Sequence, residues 1–212
     1  MDFSSKYKKE RKEVARFMRR LYRYGLTTTS GGNISLRITD DIVAITPSAT
    51  DRGRMRWKEV GILNILGENL TPDLKPSIES GMHLAIYKRK AEIRAIVHAH
   101  PVCASAFTAM QTPIETNLTA EACAILGTPV VVPYALMGTA DLANNAADYI
   151  EKSDILLLEN HGILTTGKNL LQAFDKTEVL ENAARMTLIV SLSKKKSPLT
   201  KSRTFEIERI FR

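Results

Sequence analysis

Cysteine is scarce in this chain of 212 residues, which contains only Cys103 and Cys123, too far apart for a CxxC pair. Two isolated cysteines cannot build a disulfide framework, and such sparing use is typical of a reducing compartment. No apolar run is long enough to span a membrane, because glycine and proline interrupt the most apolar stretch, residues 124–137. No apolar segment follows the basic N-terminus, so a secretory signal is not indicated. We therefore expect a cytoplasmic protein without a membrane partner.

Several common catalytic motifs are also missing. The sequence contains no Walker phosphate loop, no GxGxxG after a predicted strand and no GxSxG nucleophile elbow. A kinase or a serine hydrolase therefore has no support. With 44% hydrophobic and 25% charged residues, the composition is that of an ordinary soluble domain. That composition excludes disorder, collagen and coiled coil for the bulk of the chain.

The net charge of +7 is unevenly distributed along the chain. Residues 1–23 carry nine Lys and Arg against three Asp and Glu, and residues 194–212 carry seven against two. No zinc-finger, helix-turn-helix or aromatic-and-basic motif accompanies these basic ends. We interpret them as a solvated helix face and a basic tail, and we expect no nucleic-acid partner.

Residue patterning predicts one domain over residues 1–192, followed by a weakly patterned basic tail over residues 193–212. The predicted helices cover residues 6–24, about twelve residues from Pro76-Ser77, and residues 102–110, 120–126, 139–151 and 170–192. The predicted strands are 34–38, 42–46, 60–66, 93–98, 129–133, 155–159 and 163–166. Two hairpins interrupt the alternation of helices and strands. The pattern therefore predicts a three-layer α/β/α domain around a mixed or mainly antiparallel sheet.

Four histidines occur in the chain, and three of them are candidate metal ligands. His98 and His100 alternate on a predicted strand, so both imidazoles point to one face and can reach one ion. His161 lies in a tight turn after another strand. Three imidazoles leave one open position on tetrahedral zinc, which is typical of a catalytic site. Each of them could instead be a core or surface histidine. His83, four residues after Glu79 on one helix face, is interpreted as structural or as a support for the ligands.

Two further features have both a local and a catalytic interpretation. Glu79 is predicted in the first turn of a helix, where the dipole favours a carboxylate, and Ser77 could cap that helix. The loop Gly31-Gly32-Asn33 could offer backbone N–H groups to a phosphate, or it could simply end a helix and begin a hairpin.

Taken in order, these segments resemble the class II, zinc-dependent aldolase family, which includes fuculose-phosphate aldolase and ribulose-phosphate 4-epimerase. The matching stretches, from about Gly25 to Leu192, are SGGNISLR, ITPS, KPSIESGMHLAIYK, AIVHAHP, VVPYALMGT and LLLENHGILTTG. The joint occurrence of PSxE, HxHP and NHG is far more specific than any of them alone. The resemblance implies a three-layer fold around an antiparallel sheet, and a homotetramer with active sites between neighbouring subunits.

The resemblance also implies roles for individual residues. His98, His100 and His161 match the ligands of one zinc ion per subunit. Glu79 matches the residue that completes the coordination at rest and acts as acid and base during turnover. The implied phosphate-binding positions are Gly32, Asn33, Ser48, Ala49 and Ser77.

This sequence departs from the family pattern in its phosphate pocket. The family's Thr-Gly pair is Ser48-Ala49 here, and its Ser-Ser pair is Ser77-Ile78, which removes one hydroxyl donor. An unusual Arg52-Gly53-Arg54 follows the second loop. It could supply guanidinium donors to a phosphate, or it could be a solvated loop.

A second departure concerns the proton donor to the aldehyde oxygen. Family aldolases use tyrosines from a neighbouring subunit and from the C-terminal tail, whereas no tyrosine follows Tyr149 here. Glu121 and a water molecule are the candidates for this role.

The function expected from the resemblance is that of a zinc-dependent lyase in carbohydrate metabolism. It would cleave a fuculose-phosphate-like ketose 1-phosphate to dihydroxyacetone phosphate and an aldehyde, with zinc stabilising negative charge on the substrate oxygens. The alternative is a sugar-phosphate 4-epimerase, although related epimerases carry aspartate where Glu79 stands. A decarboxylase or dehydratase of the same superfamily is a further alternative. A catalytically inactive, adducin-like interaction module would have lost the metal histidines, which are present here.

Overall fold

Short apolar segments form seven strands of one sheet, in a computed structural model that describes residue 3 and residues 5–110, 112–193 and 195–211. The strands are β1 (Asn33–Arg37), β2 (Ile42–Ile45), β3 (Gly61–Asn64), β4 (Ala95–Ala99), β5 (Val130–Val132), β6 (Ile155–Leu158) and β7 (Gly162–Gly167). Each predicted strand is confirmed, with ends that shift by a few residues.

Seven helices lie before, between and after these strands in the described part of the chain. They are α1 (Lys8–Arg23), α2 (Ser80–Arg89), α3 (Val102–Phe107), α4 (Ala120–Leu126), α5 (Ala140–Tyr149), α6 (Leu170–Ser191) and α7 (Lys201–Phe211). A short 3-10 helix, Trp57–Glu59, precedes β3. Within the described residues, no helix combines the length and the hydrophobicity that crossing a bilayer requires.

The strand order across the sheet is β3-β2-β1-β4-β7-β6-β5. Every neighbouring pair is antiparallel except β5 with β6, which is parallel. Because side chains alternate along a strand, the sheet buries one set of residues on each face. One face packs with α1, α3, α4 and α6, and the other packs with α2 and α5. The predicted three-layer fold around a mainly antiparallel sheet is therefore confirmed.

Two segments differ from their predictions. Helix α2 begins at Ser80, later than the predicted start at Pro76-Ser77, and Glu79 occupies the N-cap position. The basic tail contains the helix α7, which packs against α4 and keeps all its side chains at least partly exposed. Because α7 has no buried residue, its sequence gives only a weak apolar pattern.

Strand register brings distant parts of the chain together at one end of the sheet. Strand β4 lies between β1 and β7 and is antiparallel to both, with Asn33 opposite His98 and His98 opposite Leu164. The end of β4 therefore meets the beginning of β1 and of β7. The turn that carries His161 precedes β7, so it lies at the same end.

Candidate active site

Three histidines meet at this end of the sheet. The potential ligand atoms of His98, His100 and His161 all lie within 4.8 Å of one another. The Nε2 atoms of His98 and His100 are 3.1 Å apart. Their side chains share one face, as the two-residue spacing predicts. The turn before β7 adds the third imidazole, so the structure brings together all three predicted ligands.

Backbone contacts hold these imidazoles in place. The Nδ1 atom of His98 lies 2.8 Å from the carbonyl oxygen of Ile163. A carbonyl can only accept a hydrogen bond, so this Nδ1 carries a proton, and Nε2 is the ring nitrogen that faces the cluster and could bind a metal ion. The backbone N–H of His100 donates to the backbone carbonyl of Leu26 at 3.1 Å. A Cβ added at Gly162 would lie 2.4 Å from Cδ2 of His100, so close packing requires glycine there.

The carboxylate of Glu79 is directed into the histidine cluster. Its Oε2 lies 3.3 Å from Nε2 of His98, and its Oε1 lies 3.3 Å from Nε2 of His161. The side-chain amide of Asn33 donates to Oε2 at 2.7 Å. Although Glu79 is the N-cap residue of α2, its side chain makes no capping hydrogen bond. Glu79 therefore lies just before the first turn in which the sequence places it, and its carboxylate faces the histidine cluster and does not cap the helix.

The charge of Glu79 is stabilised although the residue is only 6% exposed. Burial opposes ionisation, but His98, His161 and the amide of Asn33 outweigh it and hold the pKa of the carboxyl well below its usual range. For His98, burial also opposes the charged form, and the carboxylate of Glu79 outweighs it, so the pKa of His98 is raised. Burial lowers the pKa of His100 to about 3, so its imidazole is neutral and has a lone pair to offer to a metal ion.

The donor set fits a divalent metal ion. Three imidazole nitrogens converge, and the buried Oε1 of Glu79 has no hydrogen-bond partner among the described residues. A tetrahedral zinc ion with bonds of about 2.0–2.1 Å needs ligand nitrogens about 3.4 Å apart. The Nε2 atoms of His98 and His100, 3.1 Å apart, are already close to that spacing. A cation would also satisfy the unpartnered carboxylate oxygen.

His83 lies behind the cluster rather than in it. Its Nδ1 is 2.7 Å from the hydroxyl of Ser35, which is 2.8 Å from the hydroxyl of Tyr87. Tyr87 in turn donates to the carbonyl of Arg94 at 3.4 Å. Burial lowers the pKa of His83 to about 3, so the ring is neutral at physiological pH. This buried chain of hydrogen bonds joins α2 to β1 beneath the site.

A cavity of about 640 Å³ opens beside the cluster. All five predicted phosphate positions line it, together with Glu79, His100 and His161; those five are Gly32, Asn33, Ser48, Ala49 and Ser77. A larger cavity of about 770 Å³, which includes Lys90 and Lys176, contains none of these residues. Both of those lysines form ion pairs with Asp154. The cavity beside the histidines is therefore the candidate substrate site.

Two turns of left-handed backbone shape the floor of this cavity. Gly32 has φ of 62°, and a Cβ there would lie 2.7 Å from the carbonyl oxygen of His98. Ala49 has φ of 52°, which is unfavourable for a residue with a side chain. Ser48 connects this turn to the next loop, because its hydroxyl donates to the carbonyl of Pro76 at 2.8 Å and accepts from the N–H of Ile78 at 3.1 Å.

The two arginines of the Arg52-Gly53-Arg54 segment have different environments. Arg52 is buried and lines the cavity, whereas the side chain of Arg54 is 90% exposed and lies 3.8 Å from a carboxylate oxygen of Asp51. The solvated-loop interpretation is therefore right for Arg54 and wrong for Arg52. Lys75 also lines the cavity and was missed in the sequence, although it directly precedes the Pro76-Ser77 motif. Glu121, a candidate proton donor, lines a different cavity.

Known proteins are similar to this chain in sequence and in fold. The family model described as Class II Aldolase and Adducin N-terminal domain matches residues 12–188. An L-fuculose phosphate aldolase of Methanococcus maripaludis is 35% identical over 179 residues, which are 84% of this chain and 96% of that protein. A 3-oxo-tetronate 4-phosphate decarboxylase of Haemophilus influenzae is 34% identical over 172 residues, or 79% and 81% of the two chains. A solved L-fuculose 1-phosphate aldolase superposes with a TM-score of 0.88 at 30% identity, and 96% of each chain is covered.

The backbone of Ala49 generates a prediction about stability. Glycine avoids the steric cost of left-handed backbone, so Ala49→Gly should raise the free energy of unfolding by about 0.5–1 kcal/mol, net of the greater freedom of glycine in the unfolded chain. Urea unfolding followed by circular dichroism measures this. The control is Ala124→Gly in the interior of α4, where the same substitution should lower stability by about 0.5–1 kcal/mol. Equal losses in both variants would contradict the strain at Ala49.

Proposed function

The chain belongs to the Class II Aldolase and Adducin N-terminal domain family and is a metal-dependent lyase, and we propose that it cleaves a ketose 1-phosphate by a retro-aldol reaction. The products would be dihydroxyacetone phosphate and an aldehyde. One observation carries this proposal: a metal-type histidine cluster and a phosphate-type loop pocket share one cavity, with Glu79 between them. A substrate with oxygens at one end and a phosphate at the other fits such a cavity.

We propose that His98, His100 and His161 hold one zinc ion per subunit, with Glu79 as the fourth ligand at rest. Three imidazoles and one carboxylate favour zinc over the harder magnesium or calcium. When bound, zinc supplies a Lewis acid that polarises the carbonyl and hydroxyl oxygens of the substrate.

Glu79 is proposed as the group that moves a proton at carbon. Cleavage between C3 and C4 of a ketose removes the proton of the C4 hydroxyl, and the three-carbon fragment then gains a proton at C3. Asn33 holds Oε2 of Glu79, which leaves Oε1 for this transfer. In the described part of the chain no tyrosine lines the cavity, and Glu121 of the same chain lines another one. Water, or Glu121 of a neighbouring subunit, is therefore proposed to take the hydroxyl proton.

The phosphate is proposed to bind the loops on the opposite side of the cavity. Gly32, Asn33, Ser48, Ala49 and Ser77 are its proposed contacts. Ser77 has a hydroxyl that accepts only the N–H of Glu79, at 3.3 Å, so its proton can be donated to an anion. Positive φ at Gly32 and Ala49 gives the loops the concave form in which backbone N–H groups surround anions.

We also propose that the protein is a cytoplasmic homotetramer. Ile78 and Met137 line the cavity and are each more than half exposed, and Tyr134 and Leu136 beside them are equally exposed. A group of exposed apolar side chains at the edge of a site fits contact with a neighbouring subunit. Such a neighbour would limit access of water to the cavity.

A decarboxylase is the second candidate, because one relative of similar identity carries that name. Loss of carbon dioxide from a 3-oxo-tetronate 4-phosphate also breaks the bond next to a carbinol carbon and also leaves dihydroxyacetone phosphate. The phosphate pocket and Glu79 would serve both reactions. The 4-epimerase and dehydratase alternatives lack an observation of this kind in their favour.

The identity of the second product tests the reaction. Purified enzyme is incubated with fuculose 1-phosphate, 5-deoxyribulose 1-phosphate and 3-oxo-tetronate 4-phosphate, and dihydroxyacetone phosphate is measured by coupled reduction. We expect equimolar dihydroxyacetone phosphate and aldehyde from a ketose 1-phosphate. Carbon dioxide as the sole second product would identify a decarboxylase instead. An epimer that accumulates without dihydroxyacetone phosphate would identify an epimerase.

Metal content tests the histidine cluster. Elemental analysis of the wild-type protein should give about one zinc per chain. His98→Ala should bind zinc much more weakly and lose activity with it, because the substitution removes one of the four proposed ligands and leaves a gap at the buried end of the site. His161→Ala, at the more accessible turn, should behave in the same way. His83→Asn is the control, and it should retain zinc even if it unfolds at a lower temperature. Full zinc occupancy in His98→Ala would contradict the ligand assignment.

Glu79→Gln tests proton transfer. Glutamine is nearly isosteric and can still accept from Asn33, so the fold and most of the zinc affinity should persist. It cannot take up a proton, so kcat should fall by about 10²–10⁴-fold, the usual contribution of general acid–base catalysis. Steady-state turnover and bound zinc are measured in the same preparation, with Glu79→Asp as a variant that keeps a carboxylate. Turnover near the wild-type value in Glu79→Gln would mean that Glu79 acts only as a charge.

A further inference from the structure

Arg52 is a buried cation in the wall of the candidate substrate cavity. It is 2% exposed, and its guanidinium lies between the loop at residues 30–33 and the loop at residues 47–50. Nε donates to the carbonyl of Gly31 at 3.2 Å, Nη1 to the carbonyl of Pro47 at 2.8 Å and the hydroxyl of Thr50 at 3.1 Å, and Nη2 to the carbonyl of Ser30 at 3.1 Å. All these acceptors are neutral. The guanidinium therefore joins two loops, and none of its hydrogen-bond partners neutralises its positive charge.

The positive charge of Arg52 has no counter-ion in the described structure. None of the described carboxylates lies within 4.0 Å of its nitrogens, although thirteen other ion pairs do meet that limit. Removing a cation from water without a partner is costly. Burial lowers the pKa of Arg52 to about 10, which still leaves it protonated at neutral pH. An anion in the adjacent cavity would supply the missing charge.

The phosphate pocket has also lost a donor that the family pattern provides. Ile78 stands where that pattern has a hydroxyl, and its side chain is 57% exposed. The second cation of the cavity wall, Lys75, is exposed to solvent, so water screens its charge more effectively than that of Arg52. Arg52 is therefore the cation of the cavity wall whose charge is less screened by water.

We propose that Arg52 is a specificity-determining residue whose charge selects a phosphate monoester for this cavity and replaces the attraction lost at Ile78. The inference rests on the proposed function, since it takes this cavity as the place where a phosphorylated substrate binds. Arg52 acts on the phosphate end of the substrate and not on the bond that breaks. Its loss should therefore raise KM and leave kcat nearly unchanged.

Charge and loop joining can be separated by two substitutions at one position. Arg52→Met removes both the charge and the hydrogen bonds, whereas Arg52→Lys keeps the charge but loses most of the bonds. Arg54→Met is the matched control, because Arg54 is the exposed arginine of the same segment and does not line the cavity. Calorimetric titration of the zinc-loaded proteins with inorganic phosphate and with glycerol 1-phosphate gives Kd, and thermal unfolding gives the effect on the loops.

We expect Arg52→Met to raise Kd for both ligands by about 10- to 100-fold, the effect of one charge at a partly shielded site. Arg52→Lys should stay within about threefold of wild type, although both variants unfold at a similarly lowered temperature. Arg54→Met should match wild type in Kd. Adding Ile78→Ser to Arg52→Met should recover part of the lost affinity, because the serine hydroxyl returns a donor to the pocket.

Three results would overturn the inference. Unchanged Kd in Arg52→Met would show that the charge does not act on the phosphate. An equal rise in Kd in Arg52→Lys and Arg52→Met would show that Arg52 acts only by holding the two loops together. Failure of the wild-type protein to bind either ligand would show that this cavity is not a phosphate site. Tight phosphate binding that depends on Arg52, in a protein that cleaves no ketose 1-phosphate, would instead contradict the proposed function and leave the inference intact.

Discussion

The buried carboxylate of Glu79 is the constraint on which the candidate site depends. It is in ion-pair range of His98 and His161 and accepts a hydrogen bond from Asn33, so it links α2 to β4, to the turn before β7 and to β1. A carboxylate that is buried to this extent is stable only where hydrogen-bond donors and cations surround it. Removing any one of these elements would leave a charge or a lone pair without compensation. The catalytic proposal and the packing of four elements therefore rest on the same side chain.

Several groups around this carboxylate lack a partner or have an unfavourable backbone conformation. Arg52 is buried without a counter-ion, Ala49 adopts left-handed backbone, and Nε2 of His83 and Oε1 of Glu79 have no hydrogen-bond partner among the described residues. Departures of this kind concentrate at functional sites, where a ligand supplies what the protein alone does not. They all lie along or behind one cavity. A cation at the histidines and an anion at the loops would satisfy two of them directly.

The fold could be predicted largely from patterning, because each strand and helix follows its own period. Val14, Phe17, Met18 and Leu21 form the buried stripe of α1 at the spacing expected of an amphipathic helix. Secondary structure is harder to predict for a helix that buries no side chain, because such a helix has no apolar stripe. Helix α7 lies on α4 with every side chain at least partly exposed, and its sequence reads as a basic tail. At the start of α2, the contacts of Glu79 are with residues distant in sequence, which local patterning does not reveal.

The sequence by itself determined those features of the site that depend on residues close together along the chain. The alternation in His98-Ala99-His100 puts two imidazoles on one face of a strand, and the order of PSxE, HxHP and NHG indicates the family. Tertiary structure alone decided the direction of the Glu79 side chain and the difference between Arg52 and Arg54. Both choices depend on partners far away in sequence: a carboxylate at a helix start can cap it or turn into the core, and two arginines in one loop can be solvated or buried. Local spacing is the same in either case. The packing of β1, β4 and β7 decides it for Glu79, and the loops at residues 30–33 and 47–50 decide it for Arg52.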